Sequence, residues 1–327
     1  MADYSARVKG LTYDPETEIQ AVDGATIGLF LALKAVVGTG DEVIIPSPFF
    51  TSYDAEVMLC GGRPVTVALR PEHGMRVNAA DIEAAITPRT RAVIINSPGN
   101  PTGAVTSAAE LARIAEVCKQ HNIWAISDEV YHPFVFGETF GETLGGEAAV
   151  APSIAAVPGM KDRTIVVESL SKTYAMTGWR LGWAMGPKEL MRHICKIHQF
   201  GIMSAPTTAQ FAGIEAIRTG EDDIERMREQ YDLRRRYLLG ELRSMGLECF
   251  EPQGAFYMFP SIESTGLSSD EFCERLLHEQ EVAVIPGSAF GESGEGHVRI
   301  SYSYSMNHLR EACSRIRKFL QTLQAEK

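Results

Sequence analysis

The sequence has no apolar run long enough to cross a membrane. A crossing helix needs about 18 consecutive apolar residues. Here the apolar residues, 45% of the chain, are interrupted by charged ones throughout. No signal peptide precedes the first helical pattern, so we expect a cytoplasmic protein that does not bind membranes.

Positive charge is also scarce. Only 31 lysines and arginines stand against 42 aspartates and glutamates, which gives a formal net charge of −11. Nucleic acids and anionic membranes bind basic surfaces, so neither is expected as a partner.

Cysteine is sparse and scattered. The six cysteines form no C-x-x-C pair and have no histidine pair nearby. This spacing argues against a disulfide framework and against a zinc site. We expect reduced thiols, as in cytosolic proteins, and no metal site.

Short β-branched segments alternate with helical ones from about residue 18. "DEVIIP", "RPVTVAL", "RAVIINSP", "IWAISDEVY" and "RTIVVESLS" have the composition of buried strands, and amphipathic segments lie between them. This alternation predicts an α/β fold with a mostly parallel central sheet sandwiched by helices. Ligands of such sheets bind beyond the carboxyl ends of the strands.

The pattern changes after about residue 215, and we predict three parts. Residues 1–17 form a helix and a turn, 18–215 a large domain, and 216–327 a smaller C-terminal α+β domain. A long charged helix at about 221–245 is expected to connect the two domains.

Polar motifs lie at the expected rim of the sheet. In chain order they are Gly24-Ala25-Thr26 before a helix, "SPFF" with Phe50, "NSPGNPTG" with Asn100, "SDEVY" with Asp128 and Tyr131, and "ESLSKTY" with Ser169 and Lys172. Each alone is an ordinary turn, cap or surface charge. Their joint occurrence at one rim indicates a binding site.

Lys172 is compatible with two chemistries. Ser-x-x-Lys is the spacing of penicillin-binding serine enzymes, which also need S-D-N and K-T-G segments. The only near matches are Ser127-Asp128-Glu129 and Lys172-Thr173-Tyr174, and the second contains the base itself. A lysine that anchors an aldehyde cofactor is therefore the favoured interpretation.

Several segments resemble one family. "SLSKTYAMTGWRLGW", "NSPGNPTG", "SDEVY", "PQGAFYMF", "VIPGSAFG" and "VRISYSYSM" are similar to the signature segments of fold-type I pyridoxal-phosphate aminotransferases of class I/II, and the resemblance covers nearly the whole chain. It implies the pyridoxal-phosphate-dependent transferase fold, and the bacterial aromatic and broad-range transaminases are the most similar group.

The resemblance implies roles around the cofactor ring. Lys172 forms the Schiff base with pyridoxal 5′-phosphate and then moves the substrate proton. Asp128 keeps the pyridine nitrogen protonated. Asn100 and Tyr131 hydrogen-bond the phenolic oxygen, and Phe50 stacks on the ring.

The resemblance also implies a phosphate site. Main-chain amides of Gly24, Ala25 and Thr26 bind the phosphate at the positive end of a helix. Ser169 and Arg180 add a hydroxyl and a fork of charged donors.

Substrate binding is implied for two residues. Arg299 binds the α-carboxylate in bidentate geometry, with Asn100 beside it. The implied reaction moves the amino group of an L-amino acid, aromatic or of a broader range, to a 2-oxo acid in a ping-pong cycle. The implied assembly is a homodimer, with neighbour contacts expected from residues 200–210.

The match to the family begins late. The family's N-terminal arm and a Tyr-x-x-x-Gly stretch, which reaches the neighbouring subunit's cofactor, have no counterpart here, so the chain is expected to be truncated or started late. Two alternatives stay open: a carbon–sulfur β-lyase on the same scaffold, and a cofactor-binding remnant that does not turn over.

Asp23 departs from the family pattern as well. It stands just before Gly24, where the family has an apolar or small residue. We expect its side chain to cap the following helix. The alternative is a carboxylate close to the phosphate that weakens cofactor binding.

Overall fold

The computed structural model describes residues 1–137 and 150–326. Its strands are β1 (Ile19–Val22), β2 (Glu42–Ser47), β3 (Arg63–Ala68), β4 (Thr90–Asn96), β5 (Trp124–Asp128), β6 (Thr164–Ser169), β7 (Gly182–Met185), β8 (Tyr257–Met258), β9 (Ile285–Pro286) and β10 (Val298–Ser301). Its helices are α1 (Ala2–Lys9), α2 (Ala25–Val36), α3 (Tyr53–Leu59), α4 (Ala79–Ala84), α5 (Ala108–Gln120), α6 (Leu170–Thr173), α7 (Lys188–Gly201), α8 (Thr207–Thr219), α9 (Glu221–Ser244), α10 (Ser269–Gln280) and α11 (Met306–Glu326).

The central sheet confirms the predicted α/β class. Within the described residues it has seven strands in the order β1-β7-β6-β5-β4-β2-β3. The strands from β3 across to β6 pair in parallel, whereas β7 and β1 pair antiparallel at one side. Strands β2 and β6 are buried along their whole length, and for this reason their sequences are apolar without alternation.

Helices cover both faces of this sheet. Successive residues of a strand point to opposite faces. Accordingly, Ile45 and Ile94 join the core under α2 and α7, whereas Ile44, Val93 and Ile95 join the core under α4 and α5. In residues 1–137 and 150–326, no helix is long and apolar enough to cross a bilayer.

A second, smaller sheet has the antiparallel order β8-β10-β9. It shares a core with α9, α10 and α11, built around Leu238, Phe272 and Phe319. Tyr131 and Phe134, from the segment after β5, belong to the same core. The two parts are thus joined by direct packing, and the predicted boundary at 215–216 stays a prediction.

Several elements were not predicted from the sequence. Strand β1 is short and mostly half-buried, so its sequence contains no apolar run that would predict a strand. Helices α7 and α8 were also not predicted, although Leu190, Ile194 and His198 are buried at helical spacing in α7.

The first helix, α1, is attached to the sheet by a buried ionic cluster. The helix ends at Gly10, whose φ of 66° is left-handed. Just before this end, Lys9 Nζ lies 2.5 Å from Glu129 Oε2 and also contacts the Glu168 carboxylate. The three side chains are at most 3% exposed, so the carboxylate of Glu129, directly after β5, and that of Glu168, in β6, share one buried cation.

Candidate active site

A cavity of about 310 Å³ lies at the carboxyl ends of β4, β5 and β6. Such a volume is in the range of small-molecule sites, about 300–1,000 Å³. Of the predicted site residues, those that line it are Ala25, Thr26, Phe50, Asn100, Asp128, Tyr131, Ser169, Lys172, Arg180 and Arg299. Gly24 does not line the cavity but stands directly before Ala25.

One end of the cavity is formed by the start of α2. Gly24 is the residue before the helix, with φ 89° and ψ 167°, a conformation that favours glycine. A Cβ at this position would lie 2.5 Å from Arg180 Nη2. The first amides of the helix have no partner within it, so this end suits an anion.

Arg180 is held by main-chain oxygens on both sides of this end. Its Nη1 donates to the Thr177 carbonyl at 2.9 Å, and its Nη2 donates to the Asp23 carbonyl at 3.4 Å. The residue itself is left-handed, with φ 53° and ψ 54°. These two hydrogen bonds therefore orient the guanidinium without the help of a ligand.

Ser169 caps the short helix that carries Lys172. Its Oγ accepts from the Ser171 main-chain N–H at 3.0 Å and contacts the Leu181 carbonyl at 3.1 Å. Ser171 also lines the cavity but was not among the predicted residues. The paired serines of the Ser-x-Ser-Lys motif were the available signal for it.

Lys172 lies in the cavity beside two arginines. Burial lowers the pKa of its ammonium, and repulsion from Arg299 and then Arg180 lowers it further. Attraction to Asp128 acts in the opposite direction. A lowered pKa increases the fraction of the lysine amine that is neutral at neutral pH, and only the neutral amine acts as a nucleophile or base.

Asp128 is buried at the end of β5. Its Oδ2 accepts from the Tyr53 hydroxyl at 2.6 Å, and its Oδ1 from the Val130 main-chain N–H at 3.3 Å. Burial raises the pKa of this carboxyl to about 6, whereas the two hydrogen bonds lower it. The carboxyl group is thus buried and is held in place by two hydrogen bonds. Tyr53 was not predicted, because its contact with Asp128 spans 75 positions.

Asn96, at the end of β4, connects Asp128 with Asn100. Its Nδ2 donates to the Asp128 carbonyl at 3.1 Å, and its Oδ1 accepts from the Asn100 main-chain N–H at 2.8 Å. Asn96 lines the cavity but was not predicted as a site residue. Its position at the end of a predicted strand was a usable signal.

Tyr131 and Asn100 each contact a residue from the smaller sheet. The Tyr131 and Tyr257 hydroxyls are 2.8 Å apart, and Arg299 Nη1 donates to Asn100 Oδ1 at 2.9 Å. Tyr257 lines the cavity and was missed as a site residue, although "AFYMF" had marked its segment.

Arg299 has unused hydrogen-bonding capacity. Its Nε is buried and has no partner among the described residues. Its guanidinium carbon lies 4.6 Å from the ring centroid of Tyr257 and 4.9 Å from that of Phe290. A guanidinium held between two rings and facing the cavity is prepared to bind a carboxylate.

The expectation that Asp23 caps α2 is wrong. No side chain caps this helix, and Asp23 Oδ2 lies 3.4 Å from His198 Nε2 on α7. The Asp23 carboxylate contacts the buried imidazole instead of the first amides of α2. The two residues are far apart in the sequence, so no local pattern predicts this contact.

The chain is similar to known proteins in both sequence and structure. The sequence model of the family described as aminotransferase class I and II matches residues 1–316. YugH of Bacillus subtilis is 47% identical over 310 residues, which are 95% of this chain and 78% of that protein. The aspartate aminotransferase of Pyrococcus abyssi is 40% identical over 322 residues, covering 98% of this chain and 80% of that protein. The crystal structure of an aromatic aminotransferase from Pyrococcus horikoshii superposes with a TM-score of 0.94 at 41% identity, covering 99% of this chain and 84% of that one.

Proposed function

The chain belongs to the class I and II aminotransferases, enzymes that use pyridoxal 5′-phosphate, and we propose that the cavity around Lys172 is where it carries out amino-group transfer. The observation that carries this assignment is the meeting of Lys172, Asp128 and Arg299 in one cavity wall. An amine, a buried carboxylate and a guanidinium with unused hydrogen-bonding capacity are the groups that a cofactor aldehyde, its ring nitrogen and a substrate carboxylate require.

The residues at the start of α2 fit the cofactor phosphate. The amides of Ala25 and Thr26 point out of the helix end, and Gly24 leaves the space that Arg180 occupies. Arg180 supplies the counter-charge. Ser169 lines the same cavity, and contacts with Ser171 and Leu181 fix the position of its hydroxyl.

When bound, the cofactor supplies an aldehyde that bonds to amines and a ring that withdraws electrons from the amine-bearing carbon. Lys172 would anchor this aldehyde and, once displaced by substrate, would take the proton from the substrate α-carbon. Its lowered pKa, caused first by burial, favours the neutral amine that both tasks need.

Asp128 would keep the proton on the ring nitrogen of the bound cofactor. The Tyr53 hydroxyl, 2.6 Å from Oδ2, fixes the orientation of the carboxylate. Asn100 and Tyr131 would hydrogen-bond the phenolic oxygen of the ring, and Phe50 would stack on its face. Tyr257 positions Tyr131 through the contact between their hydroxyls.

Arg299 binds the α-carboxylate of the substrate, and Asn100 orients the guanidinium through the 2.9 Å hydrogen bond to Nη1. We propose a substrate range that includes aromatic amino acids. Relatives named as aspartate and aromatic aminotransferases support this range.

We propose that the enzyme acts as a homodimer through the segment around the end of α7 and the start of α8. Phe200 and Met203 are 81% and 80% exposed, and Phe211 is 70% exposed. Apolar side chains in such a group mark an association surface. A cytoplasmic location fits the cysteines, all of which are unpaired thiols.

The visible spectrum of the cofactor-loaded protein tests this function. Adding amino acids without an oxo acid should convert the lysine-bound cofactor band to that of the aminated cofactor, without release of ammonia. Lys172→Ala should abolish the starting band, and Lys196→Ala, an exposed lysine on α7, should retain it. Release of ammonia and pyruvate from a cysteine-type substrate would indicate a lyase, and a band that no amino acid changes would indicate a remnant.

A further inference from the structure

Asp23 places a carboxylate one residue before the anion-binding end of α2. A negative charge beside a phosphate site weakens phosphate binding. The Asp23 side chain is 22% exposed, so screening by water is incomplete. Something must therefore keep this carboxylate away from the cradle formed by Gly24, Ala25 and Thr26.

His198 contacts the carboxylate from the side of α7. Its Nε2 lies 3.4 Å from Asp23 Oδ2, and its side chain is 2% exposed. Residues Met191 and Ile194 of the same helix are buried in the core below α2. The imidazole is thus fixed by packing and cannot follow the carboxylate if it moves.

Gln20 sets the direction of this contact. Its Nε2 donates to the Ala21 carbonyl at 2.8 Å and lies 3.5 Å from His198 Nδ1. Because the amide nitrogen can only donate, Nδ1 is the acceptor, and the hydrogen is therefore on Nε2. Nε2–H then donates to the Asp23 carboxylate.

The main chain of Asp23 acts in the opposite sense. Its carbonyl accepts from Arg180 Nη2 at 3.4 Å and so helps to orient the cation of the phosphate site. The backbone of Asp23 therefore supports phosphate binding by orienting Arg180, whereas the negative charge of its side chain would weaken phosphate binding. Asp23→Asn keeps the backbone carbonyl and removes only the side-chain charge.

We propose that His198 is a positioning residue of the cofactor site, which holds the Asp23 carboxylate against α7 and away from the phosphate. The inference rests on the proposed cofactor site. Released from His198, the carboxylate can rotate toward the cradle. One charge several ångströms away at an effective dielectric constant of about 20 changes affinity by about tenfold or more.

The test measures dissociation constants of the cofactor-free protein for pyridoxal phosphate and for pyridoxal, which lacks the phosphate. His198→Leu should weaken pyridoxal phosphate binding by about tenfold and leave pyridoxal binding unchanged. His193→Leu, an exposed histidine on α7, is the matched control and should change neither. The double variant with Asp23→Asn should regain the affinity of the Asp23→Asn protein.

The outcomes separate this inference from the proposed function. If wild-type protein does not bind pyridoxal phosphate, the proposed function itself fails. If wild type binds it, the inference is overturned by any of three results: unchanged affinity in His198→Leu, an equal loss for both ligands, or no rescue by Asp23→Asn. An equal loss for both ligands would mean that His198 only maintains the fold.

Discussion

Arg299 combines a buried Nε that has no partner in the described residues with an Nη1 bonded to Asn100. Arg299→Lys keeps the charge but removes the fork that a carboxylate needs. We expect kcat/KM for amino acids to fall by about 30-fold or more, the value of a charge-assisted bond of about 2 kcal/mol. Steady-state kinetics measure this loss.

Cofactor affinity is the control for Arg299→Lys. It should stay near the wild-type value, because the residue faces the substrate. A variant that keeps its kcat/KM, or loses cofactor affinity to the same degree, would contradict the assignment.

Glu56 is expected to make the stability of the fold depend on pH. Both carboxyl oxygens are buried and have no partner among the described residues. Burial, and then repulsion from Asp128, raise the pKa of the group to about 8. Between its unfolded value of 4.5 and about 8, the folded state holds a proton that the unfolded state has lost. The contribution of Glu56 to stability is therefore expected to fall as the pH rises through this window.

Glu56→Gln should remove that loss. Urea unfolding at about pH 5 and about pH 9 should show a smaller decline for the variant than for wild type. Glu274→Gln, an exposed carboxyl on α10, should decline like wild type. Equal declines for Glu56→Gln and wild type would show that Glu56 is ionised in the folded protein.

The residues that local motifs mark could be predicted from the sequence, and those fixed by distant contacts could not. Lys172 and Asp128 stand in recognisable segments at the ends of strands. Tyr53 and Tyr257 enter the site only because α3 and the smaller sheet fold against it. The His198 contact to Asp23 spans 175 positions, so no local pattern contains it.

At the scale of elements, α1 depends on the Lys9 cluster. Lys9→Met would leave Glu129 and Glu168 facing each other in a buried site. Removing one partner of a buried ion pair costs about 3–5 kcal/mol. We expect the free energy of unfolding to fall by that amount, as measured by urea titration.

Lys34→Met is the matched control for Lys9→Met. Lys34 is exposed on α2, so its replacement should change stability by less than about 0.5 kcal/mol. Comparable losses of stability in the two variants would show that the buried cluster does not attach α1 to the sheet.

Strands with a continuous apolar run could be predicted from the sequence, and a strand without such a run could not. The fully buried strands β2 and β6 were found because their apolar runs need no partner to be recognised. Strand β1 was not, since it has only one fully buried residue, Val22. Its pairing with β7 comes from the tertiary fold.

At the scale of the whole molecule, the exposed apolar group around Phe200, Met203 and Phe211 predicts self-association. Phe211→Asp places a charge in this surface and should shift the dimer toward monomer, as measured by light scattering over a concentration series. Leu277→Asp, at an exposed site on α10 that is 47% accessible, should leave the assembly unchanged. A wild-type protein that is monomeric at all concentrations would refute the dimer.

The central claim is that Lys172 serves an amino-transfer site, and a single-turnover measurement tests it most directly. Cofactor-loaded protein is mixed with excess amino acid and no oxo acid, and 2-oxo acid and ammonia are quantified. The account predicts one 2-oxo acid per subunit and no ammonia, with the lysine-bound cofactor band restored when a second 2-oxo acid is added. Continued release of ammonia over many turnovers, or no product at all, would contradict it.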